Sequence, residues 1–254
     1  MAFIQLNYAS RALACQTDVA VLLPERDEQF DPAVPSKPYR VLYLLHGLTD
    51  DRLGWFRYTE IESIVRDTNL AVVMPSTDHG FYTDMVHGHP YFTFVAEELP
   101  EYLGSILPLS RRREDTFACG NSMGGYGAFK LALTYPERFA KAAAFSGVLD
   151  VQRFVDTFQL DGYDPRWTFG DDLAVAGTEN DLFRLLDEDV RRGKELPALY
   201  SWCGRDDILL EESRAFQEHA AELGVDYTYV EGEGEHLWVH WAPQLRSVID
   251  WLLS

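Results

Sequence analysis

The residues most suited to chemistry are Gly120-Asn121-Ser122-Met123-Gly124-Gly125. They fit G-x-S-x-G, a pattern that sets a serine hydroxyl between two positions lacking side chains. The bare pattern is common, but its surroundings make it informative. Thr116-Phe117-Ala118-Cys119 before it reads as a buried strand, and Tyr126 to Leu133 after it reads as a helix. A serine at a tight strand-to-helix turn is held in a strained backbone conformation and presented above the sheet edge. Gly120 and Gly124 keep that turn free of clashes. The free N–H groups of the helix start then face any oxyanion formed at the serine. The chemistry implied is nucleophilic attack by Ser122 on an acyl carbon.

A serine hydroxyl is a weak nucleophile and needs a base. The chain has seven histidines, and only His219, His236 and His240 follow Ser122. A serine on such a turn takes its partners in the chain order Ser, acid, His. His219 lies inside a predicted helix and reads as a surface residue. His236 ends the loop Gly232-Glu233-Gly234-Glu235-His236 directly after a predicted strand, where a base is expected. His240, on the closing helix, is the weaker candidate. The acid is expected in Cys203-Gly204-Arg205-Asp206-Asp207. Side chains of adjacent residues diverge, so only one of Asp206 and Asp207 can orient His236, and spacing does not choose between them. Two amides are expected to receive the oxyanion, those of Met123 and of Leu48 in His46-Gly47-Leu48-Thr49. His46 reads as stabilising its turn. Trp55, Tyr82 and Trp238, from the clusters Trp55-Phe56, Phe81-Tyr82 and the stretch after His236, are the candidate substrate contacts. Asp78, His79, Asp84, His87 and His89 match no metal-ligand spacing, so neither a metal nor another cofactor is expected.

The elements that must hold these residues follow from periodicity. Phe3 to Tyr8 and Ala12 to Leu23 read as an antiparallel pair, and Pro24 to Pro38, with four prolines, as a loop. Strands are then expected at Arg40 to Leu45, Leu70 to Met74, Thr116 to Cys119, Ala140 to Phe145, Leu199 to Cys203 and Tyr227 to Val230. Helices are expected at Thr59 to Asp67, Tyr91 to Leu107 (kinked at Pro100, with Ile106 inward), Met123 to Tyr135, Glu211 to Leu223 and Val239 to Leu253. The alternation predicts an α/β fold with a mostly parallel sheet covered on both faces, of the α/β-hydrolase type, in a single domain over 1–254. Ligands of such sheets lie beyond the carboxyl ends of the strands, where the loops holding Ser122, His236 and the aspartates fall. Gly147 to Lys194 breaks the rhythm and reads as a cap-like insertion.

Bulk properties narrow the partners. The 254 residues carry a formal net charge of −19, which disfavours nucleic acid and anionic membrane. Cys15, Cys119 and Cys203 match no zinc pattern and read as buried free thiols, which fits a reducing compartment such as the cytoplasm. No secretory signal and no apolar run long enough to span a bilayer is visible. The expected partner is a small-molecule ester, and a homo-oligomer is compatible with the sequence.

Tyr43-Leu44-Leu45-His46-Gly47, Tyr82-Thr83-Asp84, Glu97-Glu98-Leu99-Pro100, Gly120 through Ala128, Phe145-Ser146-Gly147, Cys203-Gly204 and His236-Leu237-Trp238 together resemble the esterase D-like family. That group holds S-formylglutathione hydrolases, tributyrin esterases, feruloyl esterases and mycolyltransferases, and the chain is most similar to the bacterial tributyrin-esterase branch. The likeness spans nearly the whole chain and is most specific around Ser122. The family pattern places the acid after Cys-Gly and two variable residues, which selects Asp207. It also implies Ser122 and His236 as catalytic, Leu48 and Met123 as oxyanion donors, and metal-free hydrolysis of short-chain acyl esters. S-formylglutathione hydrolases resemble serine-glycine-leucine where this chain has His46-Gly47-Leu48, which weighs against a glutathione thioester. A thioesterase or acyltransferase, and a non-catalytic binding protein on the same scaffold, are the alternatives.

Overall fold

The computed structural model describes residues 1–25 and 38–254. Most of the expected loop Pro24 to Pro38 lies outside the described residues. One sheet of eight strands organises the chain. The strands are β1 (Ala2–Ser10), β2 (Cys15–Leu23), β3 (Arg40–Leu45), β4 (Leu70–Pro75), β5 (Thr116–Asn121), β6 (Lys141–Phe145), β7 (Ala198–Gly204) and β8 (Tyr227–Gly232). Their order across the sheet is β1-β2-β4-β3-β5-β6-β7-β8. β3 to β8 run parallel, while β2 pairs antiparallel with both β1 and β4. This is the α/β-hydrolase architecture that the alternating pattern predicts.

Strict alternation explains why the central strands read as continuous apolar runs. Val41, Tyr43 and Leu45 of β3 and Val73 of β4 enter one hydrophobic cluster. Leu42 and Leu44 of β3 and Val72 and Met74 of β4 enter the other, across the sheet. Each fully buried aliphatic side chain contributes about 1.5–3 kcal/mol, so every residue of these strands works for one face or the other. The helix Met123–Thr134 covers the first face. The helices Ile61–Val65 and Leu245–Leu253 cover the second. Two cations at strand starts fasten the last helix: Arg40 Nη1 donates to the Leu253 carbonyl at 3.0 Å and Lys141 Nζ to that of Trp251 at 2.7 Å. Both satisfy carbonyls that a helix end leaves free.

Some expectations change in detail. The helix expected over Tyr91 to Leu107 is built as Tyr91–Thr93, a π-helical turn Phe94–Glu98, and Leu99–Ile106. Pro100 has no N–H to donate and its ring crowds the preceding turn, and the wider π turn just before it accommodates both. Ile106 is 48% exposed rather than inward, because it lies in the last turn of that helix. The closing helix breaks at Pro243 into Trp238–Trp241, a 3₁₀ turn Ala242–Gln244 and Leu245–Leu253. Cys119 and Cys203 are buried, but Cys15 is exposed, since it opens β2 at the hairpin turn. Among the described residues, no helix is long and apolar enough to cross a membrane.

Candidate active site

β5 delivers Ser122 to the sharp turn that its glycines foreshadow. Ser122 has φ 52° and ψ −119°, a conformation that costs a non-glycine residue on the order of 1–3 kcal/mol. Surrounding backbone imposes it. The Ser122 amide donates to Phe145 O of β6 at 2.9 Å, and its carbonyl accepts from Gly125, Tyr126 and Val148 at 3.0–3.2 Å. A side chain at Gly124 would meet Leu45 O at 2.2 Å, and one at Gly120 would meet Gly124 O at 2.3 Å. The turn therefore closes against the end of β3 only with glycine in both places.

β7 and β8 supply the partners. His236 Nε2 lies 2.9 Å from Ser122 Oγ, and His236 Nδ1 lies 3.0 and 3.1 Å from the two carboxyl oxygens of Asp207. A carboxylate only accepts, so Nδ1 carries the proton and Nε2 offers its lone pair to the serine hydroxyl. The Asp207 side chain is fully buried and also accepts the Leu209 N–H at 2.9 Å. Asp206 points outward and is exposed, its amide donating to Gly234 O at 3.0 Å. Geometry thus brings Asp207, not Asp206, to His236. Gly204 lets the two loops touch: a side chain there would meet Gly234 O at 2.1 Å. His240 packs beneath that loop, against Gly234, and His219 bonds Asp187 at 2.8 Å on the outer helix, so neither reaches Ser122.

Trp241 braces the imidazole from another side. Its ring meets that of His236 edge to face, centroids 4.8 Å apart at 88°. Its indole N–H donates to Ser146 Oγ at 2.9 Å, and Ser146 is itself held at φ 44° just beyond β6. Asp207 fixes the edge of the imidazole and Trp241 fixes its tilt. The sequence reading missed Trp241, since an aromatic three residues after another on a helix reads as core.

The amides of Leu48 and Met123 make no hydrogen bond within the chain among the described residues. Met123 opens the helix Met123–Thr134, where N–H groups have no intrahelical partner. The loop holding Leu48 is set by His46. Thr77 N–H donates to His46 Nε2 at 3.0 Å, which forces the proton to Nδ1, and Nδ1 donates to Gly47 O at 2.7 Å. Burial lowers the pKa of His46, which keeps this neutral tautomer in place.

A cavity of about 380 Å³ opens over Ser122. Its lining includes Phe81, Phe154, Phe158, Leu160, Ile208 and Leu209, together with Asp50, Tyr58 and Trp238. Of the three expected contacts, only Trp238 lines it. Trp55 is buried, with its indole N–H on Leu45 O at 2.8 Å, and Tyr82 is buried, with its hydroxyl on His46 O at 3.0 Å. The structure thus moves both from substrate contact to support of the β3 end, because each has a backbone carbonyl within reach for its polar tip. Phe154, Phe158 and Leu160, which the sequence reading missed, come from the segment after β6. Phe154 stacks on Phe158 with centroids 4.5 Å apart, and their i,i+4 spacing is the signal in the sequence for that pair.

The fold and this constellation define a serine hydrolase of the α/β-hydrolase class. The Esterase family model matches residues 10–252, and the chain belongs to that family. An acetyl esterase of Caldicellulosiruptor saccharolyticus is 32% identical over 99% of this chain and 98% of its own length. Among solved structures, the fluorophosphonate-binding serine hydrolase FphF of Staphylococcus aureus, with substrate bound, superposes with a TM-score of 0.95 at 36% identity, over 100% of this chain and 98% of that one. The S-formylglutathione hydrolase FrmB of Staphylococcus aureus gives 0.91 at 36% identity, over 100% and 99%. The chain is accordingly a carboxylic ester hydrolase.

Proposed function

We propose that this protein hydrolyses small, short-chain acyl esters through an acyl-enzyme on Ser122. The observation that carries the reading is the unbroken line from Asp207 to His236 to Ser122 Oγ at the floor of a small, mainly apolar cavity. His236 Nε2 takes the hydroxyl proton as Oγ attacks the ester carbonyl, and Asp207 stabilises the imidazolium that forms. The amides of Leu48 and Met123 receive the oxyanion. Collapse of the tetrahedral intermediate expels the alcohol, which takes its proton from His236. A water, activated by the same base, then frees the acid and restores the serine.

The acyl chain fits against Phe81, Phe154, Phe158 and Leu160, and the size of the cavity, near the low end for ligand sites, favours few carbons. In this reading 147–194 acts as a cap within a single domain, and no cofactor takes part. The buried thiols Cys119 and Cys203 support a reducing, cytoplasmic setting. The likeness to FrmB supports a second reading, hydrolysis of a glutathione thioester by the same residues.

Ser122→Ala is expected to leave a folded protein with no turnover of p-nitrophenyl acetate, and retained turnover removes the assignment. A series of p-nitrophenyl esters should fall steeply beyond about C4–C6. A tail that continued to fit would gain roughly 0.8 kcal/mol per methylene.

A further inference from the structure

The cavity lining carries a carboxyl group that the proposed mechanism does not use. Asp50 follows the oxyanion loop and lines the cavity with Asn121, Tyr58 and Trp238. A methyl group placed on Gly47 would lie 3.0 Å from Asn121 Nδ2, 3.4 Å from Asp50 Oδ2 and 3.6 Å from Ser122 Cβ. The nucleophile, an amide and a carboxyl group therefore converge on one face of the oxyanion loop. One placed on Gly54 would lie 3.4 Å from Asp50 Cγ and 3.5 Å from Trp238 Cζ2, which sets the indole beside the carboxyl group.

Three facts make this corner unusual. Asn121 is 1% exposed, and its side-chain amide is turned towards the Asp50 carboxyl group. Burial, with Asp51 beside it, holds the Asp50 carboxyl group above the ordinary carboxylate range, and the Trp238 indole and Asn121 amide that face it offset this only in part. No lysine or arginine lines the cavity among the described residues, so nothing there neutralises Asp50. A part-buried carboxyl group with no cation beside it is costly and is satisfied by a ligand that brings a cation or a hydrogen-bond donor. The stretch of lining where Phe81, Phe154 and Phe158 pack with centroids 4.5–5.1 Å apart already suits an acyl chain. The polar corner is left for the leaving alcohol.

We infer that Asp50 is the specificity-determining residue for the leaving group, selecting alcohols that carry a cationic or hydrogen-bond-donating substituent and rejecting anionic ones. The inference rests on the serine-esterase reading and deepens it. It also sets this chain against glutathione thioesters, whose leaving group carries free carboxylates.

The test compares three acetate esters of matched shape and different charge: acetylcholine, 3,3-dimethylbutyl acetate and 4-acetoxy-2,2-dimethylbutanoate. All three form the same acetyl-enzyme, so differences in kcat/KM report on the departing alcohol. Wild type is expected to prefer the cation over the anion by about tenfold or more, the scale of one partly screened charge pair. Asp50→Asn, which keeps the shape and removes the charge, should shrink that ratio by about tenfold. Asp67→Asn, an exposed carboxylate far from the cavity, makes the same change in net charge and should leave the ratio unaltered. Asp50→Ser serves if the asparagine variant does not fold, and stoichiometric fluorophosphonate labelling checks that either variant retains a reactive serine. An unchanged ratio in the Asp50 variants, or an equal shrinkage in Asp67→Asn, overturns the inference while the esterase reading stands. Failure of wild type to hydrolyse any of the three esters overturns the esterase reading itself.

Discussion

The two sides of the active-site cavity are held in different ways. The strand-end side is fixed by backbone: Ser122 N–H on Phe145 O, Arg205 N–H on Gly232 O, and glycines where two chains touch. The side built from 147–194 has backbone pairs of its own, Val148 N–H on Ser122 O and His87 N–H on Trp167 O, but is tied to the covering helix by side chains. Tyr126 OH donates to Asn180 O at 3.0 Å, and Lys130 Nζ donates to Asn180 Oδ1 at 2.6 Å, to Thr83 Oγ1 at 2.9 Å and to Tyr82 O at 3.3 Å. Main-chain contacts depend little on residue identity, whereas side-chain anchors change with a single substitution. The chemistry therefore rests on the rigid side, and the choice of acyl chain on the side that sequence can retune.

Substitutions on the two sides should part company. Asp207→Asn is expected to lower kcat for p-nitrophenyl acetate by about three to four orders of magnitude, because an amide donor at Nδ1 reverses the imidazole tautomer. Single-turnover acylation kinetics would check it, and a loss below tenfold would place the acid elsewhere. Trp241→Phe removes the N–H held by Ser146 and frees the tilt of His236. The expected loss is about tenfold, carried by kcat with little change in KM, since a small misplacement of a base costs rate more than binding. Phe158→Ala acts on the other side. It should leave acetate hydrolysis nearly unchanged and move the chain-length optimum one or two carbons upward, each added methylene gaining about fourfold in kcat/KM.

The smallest effect on activity is expected at Lys130, where stability is the better readout. Burial pulls its pKa down to about 7 from the ordinary 10.5. Between those values the unfolded chain binds the extra proton, so the stability assigned to Lys130 rises with pH across that window. The stability difference between wild type and Lys130→Met should therefore grow in favour of wild type from pH 7 to pH 9, measured by urea unfolding. A flat difference would mean that the buried ammonium stays charged on its three acceptors.

Legibility in the sequence follows the same division. Ser122, His236 and the succession of strands along the chain were readable because backbone constraints leave compositional marks: glycines at the elbow, unbroken apolar runs, a glycine-rich loop before the base. Asp206 and Asp207 are chemically equivalent on paper: only the resemblance to a family pattern pointed to Asp207, and the turn that buries it and exposes Asp206 is the physical reason. Trp55 and Tyr82 were read as substrate contacts because an aromatic after a strand suits a pocket or a core equally well. Their polar tips chose the carbonyls of Leu45 and His46, a choice made by three-dimensional distance. Asp50 carried no signal at all, being one acidic residue among 41.

The positive φ of Ser122 has an evolutionary consequence. Most positions in a chain can gain stability without loss of function, but here the two demands oppose each other. Selection for thermal endurance alone would replace Ser122 with glycine, which adopts that conformation without strain. The serine persists only where turnover is under selection. A lineage released from that pressure would be expected to lose its nucleophile early while the surrounding scaffold stayed intact.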